Sequence, residues 1–134
     1  MMTRPEQRPI LIMAGGTGGH VYPALAVARA LQASSREVVW LGTHRGLEAR
    51  VVPQAGIDIE WISIKGLRRK GVLAMLIAPL QIGWALLQSL AVILRRRPAA
   101  VLGMGGFVSG PGGVAAWLTR RPLVIHEQNA AAGM

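Results

Sequence analysis

The sequence predicts an α/β fold: an open, doubly wound parallel sheet with helices on both faces, Rossmann-like in its layout. Two observations carry that expectation. Apolar runs of strand length alternate with helical patterns along the whole chain, and two of those runs end in glycine-rich loops. Composition agrees, because 134 residues, 51% of them hydrophobic and without low-complexity tracts, suffice for one domain with a genuine core.

Taken in order, Pro9–Met13 reads as a fully buried parallel strand, a short apolar run that ends in glycines. Pro23–Ala33 reads as a helix, with Leu25, Ala28 and Leu31 at helical spacing and Pro23 suited to a first turn. Ser34–Arg36 is a polar turn, Glu37–Gly42 a second strand, and Gly46–Gln54 a short helix closed by Gly56. Ile57–Ile64 sets Ile57, Ile59 and Trp61 against Asp58 and Glu60, the alternation of a strand near a sheet edge. After a basic loop, Gly66–Gly71, a long apolar helix is expected over Val72–Leu94, ended by Arg95-Arg-Arg-Pro98. Ala99–Leu102 is a further strand, leading into Gly103-Met-Gly-Gly-Phe-Val-Ser-Gly-Pro-Gly-Gly113 and a helix over Val114–Leu118. Pro122–Ile125 is the last strand, opening into His126-Glu-Gln-Asn129. Both glycine loops and the 126–129 segment leave strand carboxyl ends, where open α/β sheets bind ligands, so they are expected to converge on one cleft. No helix follows to cover the last strand, so the chain reads as an N-terminal portion, residues 1–134, of something larger.

The first loop, Gly15-Gly-Thr-Gly-Gly-His20, has the order strand, glycines, helix start. Glycines admit positive φ and close approach of a ligand to the main chain. The helix start turns unpaired N–H groups and the positive end of its dipole on the loop, which makes an anion site, usually for phosphate. Thr17 adds a hydroxyl and His20 a titratable imidazole. The loop is neither of two familiar phosphate motifs. A P-loop needs Lys and Ser or Thr after its last glycine, where His20 and Val21 stand, and the dinucleotide fingerprint fails at Val21. The competing reading is a tight turn whose glycines serve geometry alone.

The absence of cysteine removes disulfides and thiolate metal sites, and three histidines with six acids show no ligand spacing, so no protein-bound metal or other cofactor is expected. Net charge is +9, and the excess is confined to the second half: Trp61 to His126 holds nine Lys or Arg and no acid. Such a field attracts phosphates, nucleic acid or anionic lipid. Nucleic acid is disfavoured, since no stacking aromatics interleave the basic residues and no recognition motif is present. The charged start, Met1 to Arg8, does not read as a signal peptide.

Val72–Leu94 carries no charge over a length that could cross a bilayer. Three readings compete: a membrane span, a buried crossover helix, and a helix docked on a membrane surface. Pro79, Gln81, Gly83, Gln88 and Ser89 count against a span. Ala74, Ala78, Gln81, Ala85 and Gln88 form one stripe of small or polar residues. The opposing surface, Met75, Leu76, Leu80, Trp84, Leu87 and Leu94, holds more apolar side chains than one sheet face requires. Beside Arg68, Arg69, Lys70, Arg95, Arg96 and Arg97, that surface is expected to dock peripherally on an anionic membrane.

Together, Ala14-Gly-Gly-Thr-Gly-Gly-His-Val-Tyr-Pro23, Gly103 to Gly113 and His126-Glu-Gln-Asn129, with Trp40-Leu-Gly42 and Lys65-Gly-Leu67 in order between them, closely resemble the MurG family. These bacterial glycosyltransferases add N-acetylglucosamine to lipid I, and the likeness covers the chain from Ile10 on. The resemblance implies a GT-B enzyme of two doubly wound domains, with the second domain absent here. It implies transfer of GlcNAc from UDP-GlcNAc to the C4 hydroxyl of undecaprenyl-pyrophosphoryl-MurNAc-pentapeptide, with inversion and without an enzyme-bound metal, at the cytoplasmic face of the inner membrane. By the same resemblance His20 is the general base, and Thr17, Gly18, Gly19 and Asn129 contact the donor. Gly15, Gly16, Gly105, Gly106, Phe107, Ser109, His126 and Glu127 lie on the acceptor and pyrophosphate side; which loop holds which phosphate stays open. Phe107 stands where relatives often have tyrosine, and Val72–Leu94 lacks the arginines that relatives often place along it. An isolated half is expected to be inactive. The competing functional reading is a non-catalytic, membrane-docking subunit of a split nucleotide-sugar transferase.

Overall fold

A computed structural model describes residues 8–63, 71–106 and 108–126. Five strands and four helices alternate: β1 (Ile10–Ala14), α1 (Gly18–Ala33), β2 (Val38–Gly42), α2 (Glu48–Gln54), β3 (Asp58–Trp61), α3 (Val72–Arg96), β4 (Ala100–Gly105), α4 (Ser109–Leu118) and β5 (Leu123–Ile125). All strand pairs are parallel, in the order β3-β2-β1-β4-β5. The order reverses between β1 and β4, so the two strands that feed the glycine loops flank the switch point.

Side-chain alternation on β1 and β2 builds two cores. Leu11, Met13, Val39 and Leu41 pack with Val92 and Ile93 of α3 and Ala115 and Ala116 of α4. Ile12, Ala14, Val38 and Trp40 face the other way, onto Val21, Ala24 and Ala28 of α1 and Val52 of α2. Trp40, fully buried, has its indole N–H satisfied by the Ala14 carbonyl at 2.9 Å. The doubly wound sheet expected from the sequence is therefore present.

Several boundaries differ from expectation: β3 is only Asp58–Trp61, α2 starts at Glu48 and α3 runs on to Arg96, and three further differences have a clear physical reason. α1 begins at Gly18, so Pro23 lies inside the helix instead of in its first turn. The hydrogen bond that Pro23 cannot make would have gone to the carbonyl of Gly19, close to the helix end that is already short of partners. β4 continues through Gly103 to Gly105, and Met104 is an extra residue against β1, a bulge between the Met13–Gly103 and Ala14–Gly105 pairs. α4 begins at Ser109, running through Gly110, Pro111, Gly112 and Gly113. Gly112 is buried, and a Cβ there would overlap Met13 Sδ, so glycine marks close packing within the helix and not a loop.

The long helix is half core and half surface. Ala85, Ser89, Val92 and Ile93 are buried, and Gln88 Oε1 accepts the Ser63 N–H at 2.9 Å. Met75, Leu76, Leu80, Trp84, Leu87 and Leu94 are exposed, Trp84 at 56%. Ile82, outside the expected set, is exposed as well. Met75–Arg96 is long and apolar enough to cross a membrane by length and composition, a test that core helices also pass.

Candidate active site

β1 delivers the first glycine loop and β4 the second, side by side at the carboxyl edge of the sheet. They touch. The Gly15 N–H donates to the Gly105 carbonyl at 3.3 Å, and a Cβ on Gly106 would overlap the Gly15 carbonyl. Gly105 and Gly106 take φ of 116° and 91°, conformations that side chains resist. The His20 ring lies over Gly105 with its Nδ1 side inward, since a Cβ there would overlap Nδ1. A bulged strand of glycines thus makes a seat for the imidazole.

His20 is the third residue of α1, half-buried, with no hydrogen-bond partner for its ring among the described residues. Its own N–H and that of Val21 are taken by the Thr17 carbonyl, at 3.1 Å each. Before them, the N–H groups of Thr17, Gly18 and Gly19 have no acceptor among the described residues, and Thr17 makes no side-chain cap. Thr17 and Gly19 are exposed. The start of a 16-residue helix, with the positive end of its dipole, thus carries three amides and an imidazole that have no partner among the described residues.

Other expected site residues serve differently. Gly15 and Gly16 do not offer their amides to a ligand, because the first donates to Gly105 and the second to Glu48 Oε1 at 3.0 Å. Ser109 is likewise occupied: its Oγ accepts the Gly105 N–H at 3.1 Å and reaches the Met13 and Gly105 carbonyls at 3.2 and 3.1 Å. It ties β1, β4 and α4 together. His126 is exposed and extends the β4–β5 ladder, its N–H donating to the Gly103 carbonyl at 2.7 Å, which sets it in line with β5, on the edge of β4 away from β1. Phe107, Glu127 and Asn129, and the basic Lys65, Arg68, Arg69 and Lys70, lie outside the described residues. Arg95 and Arg96 are not free surface charges. Both pair with Glu60, Arg96 through Nε at 2.7 Å, and Arg96 also approaches Asp58 at 3.9 Å.

Glu48 was not anticipated as part of the site. It is the first residue of α2, fully buried, and no Lys or Arg among the described residues pairs with it. Burying an unpaired carboxylate costs several kcal/mol unless hydrogen bonds replace water. Here the Gly16 N–H, the Thr43 N–H at 2.9 Å and the Thr43 hydroxyl at 3.3 Å do so. The sequence signal was Gly42-Thr-His-Arg-Gly-Leu-Glu48, two glycines bracketing a turn before an acid. Nearby, His44 stacks on Trp61 with ring centroids 3.9 Å apart. No group of three or more His, Asp or Glu that could hold a metal occurs among the described residues.

Comparisons with known proteins show the family and the fold. The profile of the Glycosyltransferase family 28 N-terminal domain matches residues 10–134. The UDP-N-acetylglucosamine–N-acetylmuramyl-(pentapeptide) pyrophosphoryl-undecaprenol N-acetylglucosamine transferase of Alkalilimnicola ehrlichii is 63% identical over 126 residues, 94% of this chain and 35% of that protein. Its counterpart in Nitrosococcus oceani is 64% identical over 124 residues, 92% of this chain and 34% of that protein. The crystal structure of Acinetobacter baumannii MurG superimposes with a TM-score of 0.81 at 46% identity, over 92% of this chain and 36% of that one. The chain thus spans about a third of the length of the curated relatives it matches. By profile, sequence and fold together, it belongs to glycosyltransferase family 28, as the family's N-terminal domain.

Proposed function

We propose that this chain is the acceptor-side half of an inverting GlcNAc transferase of peptidoglycan synthesis. In this reading the full enzyme moves GlcNAc from UDP-GlcNAc to the MurNAc C4 hydroxyl of lipid I. The observation that carries it is the meeting of the two glycine loops: the His20 ring seats over Gly105, and the Thr17, Gly18 and Gly19 amides at the start of the same helix have no partner among the described residues. A sugar hydroxyl is a poor nucleophile until a base takes its proton as the new bond forms, and a neutral imidazole supplies that base. The C4 oxygen attacks the anomeric carbon, the bond to UDP breaks, and the electron pair leaves on the diphosphate. Amides and a helix end fixed in advance stabilise that charge without reorganising. The charge is met by the chain's own dipoles, so no metal is assigned a role. Names of relatives, which specify both substrates, support the choice of donor and acceptor.

The test is turnover by the full-length protein with UDP-GlcNAc and a soluble lipid I analogue. His20→Ala is expected to lower kcat by about 10²–10⁴-fold. Residues 1–134 alone are expected to give no product. Retention of the donor's anomeric configuration in the product, or full activity of His20→Ala, would overturn the mechanism.

We infer also that the outer face of α3 docks on the cytoplasmic surface of the inner membrane. Its Met75, Leu76, Leu80, Trp84 and Leu87 are all exposed, and Trp suits the interface. Because Arg95 and Arg96 are matched by Glu60, Arg97 is the member of that trio left to meet anionic headgroups.

A further inference from the structure

We propose that Glu48 is a positioning residue that decides which amides of the first glycine loop are offered to a diphosphate; this rests on the transferase reading above. The carboxylate occupies a seat cut from three glycines. A Cβ on Gly15 would come within 2.5 Å of Glu48 Oε2, one on Gly42 within 2.6 Å of its Cγ, and one on Gly46 would overlap Oε1. Around that seat the same element holds both polar groups of Gly16: its N–H goes to Glu48 Oε1, and its carbonyl accepts the Leu47 N–H at 3.1 Å. Gly16 is thereby fixed at φ 98°.

Two consequences follow for the site. The next three N–H groups, from Thr17 to Gly19, are left without partners among the described residues. An anion is also kept off Gly16, because that amide is spent and a negative charge stands behind it. An apolar residue would fill the seat without either effect. The second oxygen anchors the clamp, since it accepts the Thr43 N–H at the end of β2 and so references the loop to the sheet.

The diphosphate can be that of the nucleotide sugar or of the lipid acceptor, and steady-state kinetics of the full-length protein distinguish them. Wild-type turnover comes first; its absence defeats the transferase reading and leaves this one to the stability test below. Glu48→Ala and Glu48→Gln are compared below their unfolding temperatures. Glu48→Ala is expected to lower kcat/KM at least 10-fold and to raise one KM selectively, the UDP-GlcNAc value or the lipid value according to which diphosphate the loop holds. Glu48→Gln keeps an acceptor for Gly16 but turns an NH2 group on the Thr43 N–H, so an intermediate loss is expected. Unchanged kinetics in both variants, or equal loss against both substrates tracking the folded fraction, would overturn the proposal. Gly15→Ala supplies a readout independent of activity. It should lower Tm by about 3 °C in the wild type and have little effect in the Glu48→Ala background, since the three atoms nearest that Cβ beyond the adjoining residues all belong to Glu48. Equal Tm losses in the two backgrounds would show that Glu48 does not fill the seat.

Discussion

The two glycine loops look alike in the sequence and do opposite things. In the β1–α1 loop, Gly18 and Gly19 open a helix and leave their amides unpaired, with nothing closer to a Gly19 Cβ than Thr17 Oγ1 at 3.6 Å. In the second glycine-rich stretch, from the end of β4 into α4, the glycines make room for other parts of the protein: Gly105 for His20, Gly106 for the Gly15 backbone and Gly112 for Met13. One stretch leaves glycine amides unpaired among the described residues, and the other makes room for neighbouring parts of the fold. Glycine content alone therefore does not locate an anion site; the bonding state of each amide does.

Substitutions that add one methyl group separate the two roles. The largest effect is expected from Gly106→Ala, which sets a Cβ against the Gly15 backbone at φ 91° and has no flexible side chain to displace. A loss of at least about 3 kcal/mol in denaturant unfolding is expected. Gly16→Ala should cost less, about 1–2 kcal/mol, because its φ is 98° but no atom beyond the adjoining residues lies within 4 Å of the new Cβ. Equal losses at the two positions would mean that backbone strain, not contact between the loops, governs both.

Ser109→Ala comes next. Its hydroxyl joins Gly105 and Met13, so a loss of about 1–2 kcal/mol in stability is expected, with the acceptor KM little changed. A large rise in that KM at unchanged stability would return Ser109 to the acceptor-binding role expected from the family resemblance. The smallest effect on turnover belongs to α3. Trp84→Asp should cut pelleting with anionic liposomes several-fold while leaving activity on a soluble acceptor intact. Arg96→Gln should affect stability, through Glu60, more than pelleting. Undiminished pelleting of Trp84→Asp would remove the membrane proposal.

Much of this was legible in the sequence because it depends on local pattern. The alternation of strand and helix fixed the order of elements, and the two runs ending in glycine located the switch point. The alternation of Ile57, Ile59 and Trp61 with Asp58 and Glu60 marked an edge strand, and β3 is one. What escaped depends on partners far along the chain. The start of α4 was missed because Gly-Pro-Gly-Gly opposes a helix locally, while the close approach of Met13 to Gly112 rewards one. Glu48 was missed because an acid opening a short helix is ordinary on a surface; only the fold seats it under Gly16, 32 residues earlier. The pairing of Arg95 and Arg96 with Glu60 joins residues 35 and 36 apart, which no local charge pattern announces.

The amide resonances of residues 15–20, followed in the full-length protein during titration with UDP and with inorganic pyrophosphate, test the central claim most directly. The largest shifts are expected at Thr17, Gly18 and Gly19 and in the His20 ring, with Gly15 and Gly16 moving least because their N–H groups are already bonded within the fold. Shifts that leave residues 17–20 unmoved, or that are greatest at Gly16, would contradict it.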